Sequence, residues 1–125
     1  MQFDQLRRDL REFADERDWS EFHTLKNLTL ALAGEVGELA EVIQWIKNPD
    51  AQYLMENPQV KQSFSEELAD VLLYLIRLSD VAEIDLYNVT RAKMARYHLD
   101  SRAFGDRGFG QMVYLIGLSF SLQIP

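Results

Sequence analysis

Leu30-Ala-Leu-Ala-Gly-Glu-Val-Gly-Glu-Leu-Ala-Glu41 lies inside a longer stretch, residues 25–46, in which Leu28, Leu32, Val36, Leu39, Ile43 and Ile46 recur three or four positions apart with no proline among them. That spacing predicts one long helix. Asn48, Pro49 and Asp50 end it, because proline disfavours helical geometry in the residue before it and has no backbone N–H to donate. A second long element is expected over residues 59–81, with Phe64, Leu68, Val71, Leu72, Leu75 and Leu78 as its buried stripe. Working outward, Phe3, Leu6, Leu10 and Phe13 predict a helix over residues 2–16, and Asp18 to Lys26 loses the period and reads as a loop carrying Trp19, Phe22 and His23. Asp85 reads as the N-cap of a fourth helix reaching about Leu99. Strand signals are missing throughout these segments, so the expected fold is all-α, a four-helix bundle protomer.

The 125 residues suit one domain, and 47% hydrophobic against 26% charged is the balance of a globular chain. Residues 1–103 are expected to form the helical domain and 104–125 a tail, in which Gly105, Gly108 and Gly110 precede an apolar run from Met112 to Ile124. Gly117, Ser119, Ser121 and Gln123 break that run, which is shorter than the ~20 residues that span a bilayer, so no membrane association is expected. The first fifteen residues carry seven charges, unlike a signal peptide, and a cytoplasmic location is the expectation. With 20 acidic and 13 basic residues the net charge is -7, which repels a nucleic-acid polymer. Cysteine is absent, so any metal must be held by oxygen or imidazole, a donor set suited to hard cations.

The acids with chemical promise are Glu35 and Glu38 on the second helix and Glu67 and Asp70 on the third, each pair one turn apart on one face. A lone pair of acids at that spacing is ordinarily a solvated face. Here the flanking residues are strongly apolar, as in Glu66-Glu-Leu-Ala-Asp-Val-Leu-Leu-Tyr-Leu75. Two such helices packed antiparallel gather four carboxylates that repel one another unless a cation neutralises them, and magnesium fits the set. Gly34 and Gly37 beside Glu35 suggest close approach by a helix or ligand, since glycine weakens a helix interior. Trp19, Trp45 and Tyr74 are candidate walls of a base pocket, and Lys26, Lys47 and Lys93 are candidate phosphate contacts. Neither His23 nor His98 completes a Glu-x-x-His pair, which disfavours a carboxylate-bridged redox bundle.

Glu35-x-x-Glu38 followed by Glu67-x-x-Asp70 resembles the metal-binding signature of the MazG-like nucleoside triphosphate pyrophosphohydrolases. Phe13-Ala-x-Glu-Arg-Asp-Trp19, Phe22-His23, Asn27-Leu28, Gln44-Trp45 and the Glu66–Leu75 segment are similar to the branch that includes the dCTP pyrophosphatases. The resemblance covers about residues 3–97 and departs from the family after Lys93-Met94, where Arg96-Tyr97 follows almost at once. It implies that Glu35, Glu38, Glu67 and Asp70 hold Mg2+, with Mn2+ as the alternative. Trp19, His23, Trp45 and Tyr74 then surround the nucleotide. Lys26, Lys93 and Arg96 are the candidate cations for its phosphates, and a carboxylate not fully occupied by metal, Glu41 or Glu38, is the candidate catalytic base. A homodimer or homotetramer is implied, as is conversion of a nucleoside triphosphate to its monophosphate and pyrophosphate, a nucleotide house-cleaning role. The competing expectation is a non-catalytic helical oligomerisation or partner-binding module whose acids are structural.

Overall fold

Thr24, Asn57 and Asp85 each stand just before an apolar periodic segment, and each offers a short side-chain oxygen to backbone N–H groups that a helix leaves unpaired in its first turn. The computed structural model describes the backbone of residues 2–47 and 53–104, and side chains as far as residue 98. Thr24 accepts from the Asn27 N–H at 3.1 Å, Asn57 from those of Gln59 and Val60 at 3.0 and 3.3 Å, and Asp85 from that of Asn88 at 3.0 Å. Four helices follow: α1 (Gln2–Asp15), α2 (Leu25–Glu41), α3 (Pro58–Val81) and α4 (Leu86–Phe104). No strand occurs among the described residues, as the all-α expectation requires.

The chain forms two units, residues 1–84 and 85–125. In the first, α1 and α2 both pack against α3; the second contains α4. The expected tail, apart from its first residue at the end of α4, lies outside the described residues.

Two boundaries differ from expectation. The second helix ends at Glu41 rather than Ile46, and beyond it Ile43 donates to the Ala40 carbonyl and Ile46 to that of Ile43, the three-residue spacing of tightened turns. The β-branched pair Val42-Ile43 favours such loosening ahead of Pro49. At the other end of the chain α4 runs on to Phe104, because its first proline-free and glycine-free stretch continues to that residue.

Helices α1 and α3 close in the same way. Asp18 and Glu83 take φ of 54° and 55°, left-handed values usually left to glycine. The Trp19 N–H then reaches the Ala14 carbonyl at 3.0 Å and the Ile84 N–H that of Ser79 at 2.9 Å, the six-residue closure of a Schellman motif. In the first case this folds the Trp19 ring back onto Phe13, with centroids 5.6 Å apart and the planes at 76°.

The core of the first unit is small. Ala14, Leu28 and Ile76 are its fully buried apolar residues among those described. Leu28, 1% exposed, packs where the helices meet, so Leu28→Ala is expected to cost about 2–5 kcal/mol, read from the urea midpoint. Most of the predicted stripe turns inward, Leu28, Leu32 and Leu39 on α2 and Phe64, Val71, Leu75 and Leu78 on α3, but three of its residues do not. Val36, Leu68 and Leu72 face outward, and the half-buried positions of α3 also include Glu67, Asp70 and Tyr74. Both helices carry apolar residues on more than one face, and periodicity alone does not say which face meets which partner.

Candidate functional site

Those inward stripes bring the acids together. One carboxylate oxygen from each of Glu35, Glu38 and Glu67 lies within 4.8 Å of the others. Asp70 stands outside this triad, but its charge acts on both Glu35 and Glu67, and that of Glu41 on Glu67. Glu35, Glu67 and Asp70 are half-buried, while Glu38 and Glu41 are exposed.

The electrostatics are those of crowded like charges. Partial burial, and then the fields of Glu38, Asp70 and Glu67, hold Glu35 above the ordinary carboxylate range. Glu67 is raised for the same reason, burial first and then Glu38, Asp70, Glu66 and Glu41. Its Oε2 is shut off from solvent and receives no hydrogen bond from the described residues. A buried carboxylate oxygen without a donor is unfavourable unless a cation balances it. Carboxylate oxygens alone make the donor set, which fits magnesium or another hard divalent ion.

Beside the acids opens a cavity of about 200 Å³. Leu10 and Phe13 of α1, Trp19 and His23 of the connecting loop, and Leu28 of α2 line it, together with Asp70, Leu73, Tyr74 and Arg77 of α3. The rings of Trp19 and His23 are tilted at 59° to each other, with 6.0 Å between centroids. Asp70 belongs to both features: it lines the cavity and acts electrostatically on the triad.

Of the residues singled out in the sequence, Trp19, His23 and Tyr74 therefore share one cavity with Asp70. Lys26 is exposed in the first turn of α2. Trp45 lies past the end of α2, 88% exposed, and is not part of the cavity lining. Lys93 and Arg96 are exposed on α4, in the second unit, where the Lys93 ammonium sits 5.9 Å from the Tyr97 ring centroid. At Gly34 and Gly37 an added Cβ would meet nothing within 4 Å, so among the described residues no helix makes the close approach that these glycines suggested.

The sequence reading missed Arg77 and the ion pairs behind it. Arg77 is buried, donating from Nε to His23 Nδ1 at 3.0 Å and from a terminal nitrogen to Asp80 at 3.0 Å. Asp80 also accepts from Arg11 Nε at 3.1 Å, which brings α1 onto α3. The Arg11 hydrogen bond holds the Asp80 carboxyl below its ordinary value, against an opposing effect of burial. The signal was present: Leu73, Tyr74 and Arg77 follow Asp70 at three, four and seven residues, the helical neighbours of one face.

Comparisons with known proteins identify the family of the chain. Residues 23–99 match the family profile of the MazG nucleotide pyrophosphohydrolase domain. The chain is similar to dCTP pyrophosphatase 1 of Rattus norvegicus, at 45% identity over 89 residues, covering 71% of this chain and 52% of that protein. The same protein of Homo sapiens gives 45% over 89 residues with the same shares. This chain thus spans about half the length of the curated relatives it matches. Among solved structures, a pyrophosphatase from Archaeoglobus fulgidus superposes with a TM-score of 0.73 at 38% identity, covering 84% of this chain and 94% of that one. With the profile matched across most of its length, from His23 to Leu99, the chain belongs to the MazG nucleotide pyrophosphohydrolase family.

Proposed function

We propose that this protein is a magnesium-dependent pyrophosphohydrolase that converts dCTP or a related deoxynucleoside triphosphate to its monophosphate and pyrophosphate, clearing surplus or noncanonical nucleotides. The observation that carries this reading is the Glu35–Glu38–Glu67 triad, with its orphaned oxygen, next to a cavity walled by Trp19, His23 and Tyr74. The names of the curated relatives support the choice of substrate.

In this reading Glu35, Glu38, Glu67 and Asp70 hold Mg2+, with Mn2+ as a substitute. A divalent ion there supplies charge neutralisation along the triphosphate and polarisation at phosphorus. The protein's own part is geometry and proton transfer. Trp19, His23 and Tyr74 enclose the base, and Lys26, Lys93 and Arg96 are the candidate cations for phosphate oxygens. Glu41, which is exposed and outside the triad, and Glu38 are the candidates to take the proton of water attacking the α-phosphorus. The new bond joins that water oxygen to the α-phosphorus, and the bond to the bridging oxygen of the β-phosphoryl group breaks, releasing pyrophosphate.

The proposal includes a homodimer or homotetramer. Leu30, Val36, Leu68 and Leu72 are exposed on α2 and α3, and the open faces of Gly34 and Gly37 lie along the same helix as the first two. Apolar surface of this kind is ordinarily covered in an assembly. Trp45, 88% exposed, then joins the base pocket of a neighbouring subunit or remains outside it, which its substitution decides. The proposal also includes a cytoplasmic location; no described helix is long and apolar enough to cross a membrane.

The test incubates the protein and magnesium with a panel of canonical and modified nucleoside triphosphates and identifies products by phosphorus NMR. Monophosphate and pyrophosphate are expected, with dCTP or a close relative preferred. Diphosphate and orthophosphate, or no turnover of any member, would contradict the reading. In parallel, magnesium is expected to raise the thermal midpoint saturably, since an ion bound only by the folded state stabilises it by mass action. A midpoint indifferent to magnesium would return the acids to the role of a solvated or structural patch.

A further inference from the structure

His23 reaches the cavity wall with one ring nitrogen already engaged. Its Nδ1 accepts from Arg77 Nε at 3.0 Å. An arginine can only donate and does not lose its proton in a protein, so the nitrogen that accepts is unprotonated. A neutral imidazole then carries its proton on the other nitrogen. Nε2–H is left as the ring's donor, and it has no hydrogen-bond partner among the described residues.

Arg77 is itself held from behind. A terminal nitrogen donates to Asp80 at 3.0 Å, and the side chains of Arg77 and Asp80 are only 9% and 5% exposed. Asp80 has a second cation in Arg11, which grips it through Nε at 3.1 Å and through a terminal nitrogen. Arg77 is therefore surplus to the neutralisation of Asp80. A buried arginine is not an efficient way to stabilise a fold, where a well-packed apolar side chain ordinarily serves as well or better. What it adds here is a fixed donor aimed at His23.

We propose that Arg77 is a positioning residue for base recognition: by occupying Nδ1 of His23 it fixes the imidazole as the Nε2–H tautomer, which presents a donor to a carbonyl or ring-nitrogen acceptor of the bound base. This rests on the reading of the cavity as the base pocket. The surroundings agree with a neutral ring. Burial and then the Arg77 charge lower the readiness of His23 to protonate. The titratable groups lining the cavity with it are Arg77, Asp70 and Tyr74, all from α3, whereas α1 and α2 contribute Leu10, Phe13 and Leu28. An acceptor edge is a property of the base alone, so the donor sorts substrates by base and leaves the phosphate chemistry to the acids.

The experiment compares dCTP with the abasic 2′-deoxyribose 5′-triphosphate in wild type and in Arg77→Met, a change that removes the donor while leaving Asp80 its partner Arg11. The preference for dCTP over the abasic substrate, as a ratio of kcat/KM, is expected to fall about five- to tenfold, carried by KM for dCTP, as for one lost hydrogen bond. In a His23→Ala background the same substitution is expected to add no further loss of preference, because Arg77 acts through His23. An unchanged preference in Arg77→Met, or an additive loss in the double variant, would overturn the proposal and leave the base pocket standing. A wild type indifferent to the base would overturn both. Should Arg77→Met fail to fold, nitrogen-15 NMR of the wild type decides: an unprotonated Nδ1 and a protonated Nε2 on His23 are expected, and a proton on Nδ1 refutes the assignment.

Discussion

Glu67→Gln is expected to lower kcat roughly 10²- to 10³-fold, the scale seen when one charge-stabilising group is removed from a reacting phosphoryl or acyl centre, while raising the thermal midpoint of the metal-free protein. The two effects have one cause. Glu67 holds an oxygen with no hydrogen-bond donor among the described residues and feels four neighbouring acids, so its charge burdens the metal-free fold and is useful only when a cation shares the site. Glu38→Gln and Asp70→Asn are expected to lower kcat in the same way. Steady-state kinetics and thermal melts with and without magnesium check this, and full activity in any of the three would contradict the metal cradle.

The same crowding sets a pH dependence. Glu35 and Glu67 are raised from the ordinary 4.5, so over the window between that value and their folded values the folded chain binds more protons than the unfolded one. Their contribution to stability is fully present below 4.5 and is lost as pH rises through the folded values. Metal-free protein should therefore gain from these two groups on mild acidification, and Glu67→Gln should flatten that gain. Asp80, lowered by Arg11, contributes with the opposite sign: its stabilisation is present above 3.8 and is lost as pH falls below it.

Trp19→Ala is expected to raise KM for dCTP by roughly five- to 150-fold with little change in kcat, since stacking of a base on an aromatic ring is worth about 1–3 kcal/mol. The Schellman closure of α1 presents this ring to the cavity, edge-on to Phe13. Far-UV circular dichroism separates lost stacking from a lost loop. An unchanged KM in a folded variant would remove Trp19 from the base pocket. Trp45→Ala gives the comparison: lying outside the cavity lining, Trp45 affects KM only where a second subunit brings it to the site.

The long helices were legible because periodicity is local and the runs are free of proline. Of the caps, Asp85 was read from the sequence, whereas Thr24 and Asn57 emerged only from the structure although their signal is equally local. The clustering of Glu35, Glu38 and Glu67 was also legible, since acids one turn apart on two partnered helices have few other places to meet. Less was readable where burial depends on partners distant in the chain. Val36, Leu68 and Leu72 look like core in a pattern of threes and fours, yet they face outward while Glu35, Glu67 and Asp70 turn in. Arg77 could have been found by counting from Asp70, but its hydrogen bond to His23 joins residues 54 positions apart, which no local pattern encodes. The exit of α2 at Glu41 similarly depended on the weak propensity of Val42-Ile43 and not on the more visible Pro49.

The most direct measurement is a titration of Mn2+ into metal-free protein, followed by the electron paramagnetic resonance signal of the free ion. Wild type should remove Mn2+ from solution saturably and release it to excess Mg2+, and the Glu35→Gln, Glu67→Gln double variant should not bind it. Equal uptake by the double variant, or none by the wild type, would contradict a divalent-ion cradle between α2 and α3.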